Sequence, residues 1–139
     1  MSYLVDTDVL SEATKKTPNP AVRRWLAEHQ RELYVSTITI GEMRYGIEKL
    51  PRGKRHTALQ SWLTETCRIM DGRILSFNIS VAHVWGTMRA ALFKTGQIMP
   101  MADSQIAAIA TRYELTVATR NAKDFLHYGI KTIDPFDLT

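Results

Sequence analysis

Along the chain, short continuous apolar or β-branched runs alternate with longer stretches in which apolar residues recur at helical spacing. The runs are Tyr3 to Val5, Leu33 to Val35, Ile74 to Phe77, Leu115 to Ala118 and Ile130 to Ile133. Each has the length of a buried strand. Between them, Val22, Trp25 and Leu26 follow Pro18 and Pro20, which suit a helix start. Leu59, Trp62, Leu63, Cys67 and Met70 mark one face of a second helix. Val81, Val84, Trp85, Met88, Ala91 and Leu92 mark a third, with Gly96 as its C-terminal stop. A fourth, Ile106 to Ala110, begins after Pro100 and is apolar almost all round, as an interior helix is. Strands separated by helices require crossovers, and crossovers cover both faces of a parallel sheet. The pattern therefore predicts an α/β protein in three layers, α/β/α, around a mostly parallel central sheet of about four to five strands.

A chain of 139 residues is of single-domain size, so residues 1–139 are expected to share one core. With 45% apolar and 23% charged residues and only 7 Gly and 5 Pro, the composition excludes disordered, collagenous and fibrous classes. No apolar run approaches the roughly 18 residues of a membrane span, and the N-terminus lacks the order of a signal peptide, so a cytoplasmic protein without membrane contact is expected. Cys67 is the lone cysteine and reads as a small core residue of its helix. The net charge of +4 favours a polyanionic partner. Part of the excess sits in KLPRGKRH, residues 49–56, which fits either a solvated loop or a phosphate or partner contact.

One stretch resists a purely structural reading. In YLVDTDVLSE, residues 3–12, an apolar run that wants burial ends on Asp6, and Asp8 follows. Sites in open α/β sheets form beyond the carboxyl ends of the strands, where Asp6 stands. Glu42 follows the second strand in STITIGEMRYG, Asp103 opens the helix of MPMADSQIAAIA, and Asp124 lies just beyond the fourth strand in VATRNAKDF. A parallel sheet can bring these acids to one edge, where their repulsion calls for cations or raised pKa values. Oxygen-only ligands favour Mg²⁺ or Mn²⁺, and a metal-activated water can attack a phosphodiester. Each acid also has a local reading. Thr39 to Glu42 matches a capping box; Asp103 fits an N-cap or first-turn acid; Asp8 fits a cap of the short helix after the first strand; Asp124 fits a turn. His29, His56, His83 and His127 lack paired ligand spacing and read as surface or satisfied core histidines.

Taken in order, LVDTDVLSE, STITIGEMRYGIEK, PMADSQIAAIA and VATRNAKDF make this sequence similar to PIN-domain proteins, and more closely to the VapC-type toxin ribonucleases of bacterial toxin–antitoxin pairs. The resemblance covers essentially the whole chain. It implies a PIN-like α/β/α fold and a divalent-metal-dependent endoribonuclease, with tRNA among its targets. It also implies a homodimer, held inactive by a cognate antitoxin whose C-terminal segment enters the active-site groove. Asp6, Glu42 and Asp103 carry over as the acidic metal site. The fourth carboxylate comes from TRNAKDF, where Asp124 is the acid present and Asn121 occupies a place that is acidic in some relatives. Asp8 departs from the Asn of many relatives. Thr119 is implied as a hydrogen-bonding partner of a ligand or the scissile phosphate, and Arg120 as a neutraliser of the acids or a contact to antitoxin or RNA phosphate. The antitoxin is expected on the early helices, with Trp25 and Tyr45 as surface or core alternatives.

The expected mechanism is in-line attack of water on an RNA phosphodiester, oriented by one or two Mg²⁺ ions about 3.5 to 4 Å apart if paired. The alternative is a weakly active or inactive binding module of an autoregulatory complex on operator DNA. DNA contact would then come from the antitoxin, since this chain shows no helix-turn-helix. A phosphoacceptor domain is disfavoured because no suitably placed Lys follows a strand. Neither a nucleophile elbow nor a Gly-rich phosphate loop is present.

Overall fold

The computed structural model describes residues 1–138, with every side chain among them except that of His127. Strand β1 (Tyr3–Val5) leads into the short helix α1 (Thr7–Glu12), then α2 (Pro20–Glu28) and β2 (Leu33–Ser36). Helices α3 (Thr37–Glu48) and α4 (Lys54–Ile69) precede β3 (Ile74–Leu75). The pair α5 (Ile79–Lys94) and α6 (Met101–Tyr113) returns the chain to β4 (Thr116–Ala118) and, through a 3₁₀ segment at Ala122–Tyr128, to β5 (Thr132–Ile133). A last 3₁₀ turn, Pro135–Asp137, follows.

The strands form one sheet in the order β3-β2-β1-β4-β5, and every pairing is parallel. Tyr3 lies opposite Leu33 on one side and Thr116 on the other, so β1 is the centre. Alternation along β1 divides the core in two. Tyr3 and Val5 face a cluster built on α1 to α4, with Val9, Val22, Trp25, Met43, Ile47 and Leu63. Leu4 faces the opposite cluster, with Val81, Ile106, Ile109, Val117 and Phe125. Each fully buried aliphatic side chain of this kind contributes about 1.5–3 kcal/mol. The α/β/α layering expected from the sequence is thus present. Among the described residues no helix is long and apolar enough to cross a membrane.

Local signals account for most boundaries. Asn19 caps α2 through its Oδ1, which accepts from the Ala21 and Val22 amides, and Pro20 is the first helical residue. Gly96, at φ 75°, ends α5 as its position suggests. The edge strands are shorter than expected: β3 stops at Leu75 and β5 starts at Thr132. Phe77 leaves the sheet to meet the edge of Trp85 at 5.7 Å between ring centroids, and Ile130 packs on the α5–α6 cluster instead of extending β5. Helix α3 produced no periodic signal, because TITIGEMRYGIE is rich in β-branched residues and Gly. It forms because Thr39, Met43 and Ile47, one turn apart, are buried against the sheet.

Candidate active site

The chain runs from β1 outward to β3 on one side and from β4 to β5 on the other, so the strand order reverses between β1 and β4. At such a switch point the two crossovers diverge and leave a crevice beyond the carboxyl ends. Asp6 and Thr119, the residues that directly follow β1 and β4, are its floor.

Asp6 continues the ladder, its amide donating to the Ala118 carbonyl at 2.9 Å. Its carboxylate is buried (7% exposed) and accepts from the Thr7 amide at 2.8 Å and the Thr119 hydroxyl at 2.9 Å. Burial pushes this carboxyl above the ordinary carboxylate range, while the two hydrogen bonds pull against it. Thr119, fully buried, also accepts from the Asn121 amide at 3.1 Å, which ties the start of the following loop to the same point.

Asp8 does not cap α1; Asp6 is the N-cap. The side chain of Asp8 crosses the crevice, and its Oδ2 accepts from the Arg120 amide at 3.0 Å. Its Oδ1 is buried without a partner. Burial first, and then the charge of Asp6, push Asp8 up to about 6. The capping-box reading of Glu42 is likewise overturned. Ser36 is the N-cap of α3, its Oγ accepting from the Thr39 amide at 3.1 Å, and Glu42 lies further along the helix. Glu42 Oε1 accepts from the Thr7 hydroxyl at 2.7 Å, so α3 is braced to α1 beside Asp6.

Asp103 is in the first turn of α6, whose N-cap, Pro100, makes no side-chain cap bond. The turn is fixed from α5: the Trp85 indole N–H donates to Ser104 Oγ at 2.9 Å, and that hydroxyl donates to the Met101 carbonyl at 2.6 Å. Burial pushes the Asp103 carboxyl up to about 6, and the charges of Asp6, Asp124, Glu42 and Asp8 add to it, in that order. Acids from distant parts of the chain therefore act on one side chain. Asp124 is exposed in the first turn of the 3₁₀ segment, and Asn121 is that segment's N-cap.

Arg120 is exposed, with its guanidinium carbon 3.5 Å from the centroid of the Phe136 ring. Residues that sequence reasoning passed over hold this geometry: Thr7, Ser36, Ser104 and Phe136. Thr7 was open to inspection, since it separates the two acids of the DTD triplet. Nothing local marks the other three. The expectation for Trp25 resolves to core: it is buried against Tyr3 and His29, at 5.0 and 4.9 Å between ring centroids. Tyr45 is exposed at 66%. His29 and His56 pair with Glu32 and Glu48, and His83 is exposed, as satisfied core or surface histidines should be; the side chain of His127 lies outside the described residues.

The donor set suits a hard divalent cation: oxygens only, with two carboxyls lifted to about 6 by burial first and neighbouring acids second, and one buried carboxylate oxygen on Asp8 that accepts from no described group. Among the described residues no three acidic, His or Cys side chains are already closed into a ligand set.

A PIN domain family model matches residues 3–131. The VapC ribonuclease Y4jK of Sinorhizobium fredii is 35% identical over 136 residues, 96% of this chain and 97% of that one. Toxin FitB of Neisseria gonorrhoeae is 35% identical over 135 residues, covering 96% and 97%. A solved structure of FitAB bound to a DNA fragment superposes with a TM-score of 0.91 at 33% identity, covering 99% of this chain and 97% of that one.

Proposed function

Because the chain belongs to the PIN-domain family, we propose that this single PIN unit is an endoribonuclease toxin of a toxin–antitoxin pair, cleaving RNA with Mg²⁺, or Mn²⁺ in its place. The observation that carries the reading is the convergence of Asp6, Asp8, Glu42 and Asp124 on Asp103 at the sheet's switch point, with no salt bridge to any of the five among the described residues. Asp6, Asp103, Glu42 and Asp124 would hold the metal. Bound there, it supplies Lewis acidity that activates water and offsets charge on a phosphodiester.

The chain's own residues do the rest. Thr119 and the Thr7 amide occupy Asp6 from two sides and fix its direction. Thr7 does the same for Glu42. Ser104 and Trp85 lock the turn that carries Asp103. Hydrolysis then joins the water oxygen to phosphorus as the bond to the departing ribose oxygen breaks; the exposed acids Glu42 and Asp124 would take up the water's proton, and the departing oxygen gains one from solvent. Asp8, Asn121 and Arg120 would line the approach, while Thr119, buried beneath Asp6, serves the substrate only through that acid.

The likeness to FitB and to FitAB bound to DNA supports a cognate antitoxin as partner, with operator DNA reached through that complex. Exposed Tyr45 on α3 offers the antitoxin an apolar contact. A homodimer acting in the cytoplasm completes the proposal; exposed Phe93, Ile98 and Met101 around the α5–α6 connection are apolar surface a second copy can cover. The test is incubation of total RNA, tRNA included, with the purified protein in Mg²⁺, Mn²⁺ or EDTA, followed by mapping of the ends. New ends that require the metal are expected. Folded protein that produces none, while still binding its antitoxin, would overturn the nuclease and leave a binding module.

A further inference from the structure

We propose that Arg120, laid flat on Phe136, is a binding site for an RNA backbone phosphate beside the scissile one, and that Phe136 is its positioning residue. The inference rests on the reading of the crevice as an RNA-cleaving site. It begins from an oddity. An arginine whose backbone amide is bonded to Asp8 stands next to a group of carboxylates, and its charge acts on Asp8 and on Glu12. Such a side chain ordinarily folds onto the nearest acid. Yet its guanidinium makes no ion pair with any described residue, and none of its N–H groups donates to one.

Phe136 explains why. The ring holds the guanidinium by its face, 3.5 Å from centroid to carbon. Face stacking leaves every in-plane N–H free, in the fork that matches two phosphate oxygens. The ring is itself anchored. Asp134 Oδ1 accepts from the Phe136 amide at 2.9 Å, Pro135 is buried, and the Phe136 side chain packs on the α1–α4 core. The C-terminal turn thus keeps a cation at the rim, within the field of the acids but off them. Its chemistry fits the substrate's problem: a crevice rich in carboxylates repels a polyanion, and a fixed cation at its border offsets that repulsion. If the guanidinium were released, it would pair with the acids and occupy the crevice meant for the metal.

The test measures binding of a labelled single-stranded oligouridine by fluorescence anisotropy in EDTA at several salt concentrations, and in parallel cleavage of total RNA in Mg²⁺. Arg120→Gln is expected to weaken binding roughly ten-fold or more. It should also flatten the salt dependence by about 0.7, the loss of one phosphate contact on a single strand. Phe136→Leu and Phe136→Met should move both readouts in the same direction, Phe136→Tyr should restore them, and the double variant Arg120→Gln with Phe136→Leu should lose no more than Arg120→Gln alone. In cleavage the loss should fall on KM more than on kcat. Wild-type affinity and salt slope in folded Arg120→Gln, or a Phe136→Tyr variant as impaired as Phe136→Met, would overturn the site. Wild-type protein that binds RNA with these dependences but cuts none would overturn the nuclease reading alone, so the two failures are separable.

Discussion

The two ends of the sheet differ in how they treat charge. At the amino ends of the strands a hollow of ≈ 370 Å³ is lined by Met1, Glu114, Leu115, Thr116, Gly129 and Lys131 among others, an acid and a base in balance. At the carboxyl ends, the charges of Asp6, Asp124, Glu42 and Asp8 act on Asp103, with Arg120 held aside on Phe136. The amino end has the hollow, and the carboxyl end has the gathered acids. Cavity volume reports only where helices fail to cover the sheet. Uncompensated like charge costs stability, and a fold keeps it where something else, here a proposed cation and a polyanion, balances it.

The sharpest way to break this contrast is Asp6→Asn. It keeps the side-chain volume but removes the central charge and leaves one acceptor oxygen for two donors, the Thr7 amide and the Thr119 hydroxyl, so metal-dependent RNA cleavage should fall to background while circular dichroism stays native. Wild-type cleavage in that variant would remove the carboxyl end from the chemistry. Next in size is Thr119→Val, which deprives buried Asp6 of its hydroxyl donor. Metal affinity or activity should drop roughly 10–100-fold, read from the Mg²⁺ dependence of the rate. Unfolding in urea should cost about 1–3 kcal/mol.

Stability against pH sharpens the contrast. Asp103 is pushed from an ordinary 3.8 to about 6, and Asp8 likewise. Between those values the folded protein holds protons that the unfolded chain has released, so the contribution of these groups falls as pH rises through the window and is at its lowest above it. Asp103→Asn should therefore melt higher than wild type at pH 7 in EDTA, with the gap closing towards pH 4, while being inactive. Added Mg²⁺ should raise the wild-type melting temperature more at pH 7 than at pH 5. A constant gap across that range would show that Asp103 is not crowded.

The smallest effect belongs to the amino end. Glu114 closes α6 in the left-handed region, φ 55°, and the Leu115 amide bonds back to the Ala110 carbonyl at 2.9 Å, a Schellman closure with Glu where Gly is usual. Glu114→Gly should relieve up to about 1 kcal/mol of that strain and leave cleavage unchanged.

Much of this was legible early. The apolar runs located every strand core, Pro20 and Gly96 marked helix ends, and the acids after β1 and β4 pointed to the crevice. What was misread was short-range: Thr39-x-x-Glu42 has the spelling of a capping box, but the helix begins three residues sooner because Ser36, at the end of β2, caps it. Asp8 was read as a cap for the same reason, since a sequence shows neighbours along the chain and not across it. Its partner is the amide of Arg120. Trp25 could be surface or core until the packing of Tyr3 and His29 against it decided the matter.

The sequence by itself determined the alternation of strand and helix, and with it a parallel sheet with Asp6 at the end of its central strand, because short continuous apolar runs suit buried strands and longer stretches at helical spacing suit helices. Only the tertiary structure decided which acids share a field, which hydroxyls aim them, and that a phenylalanine near the C-terminus holds the arginine clear of them. Those relations join residues far apart in the chain, where spacing carries no information and distance alone sets the energy.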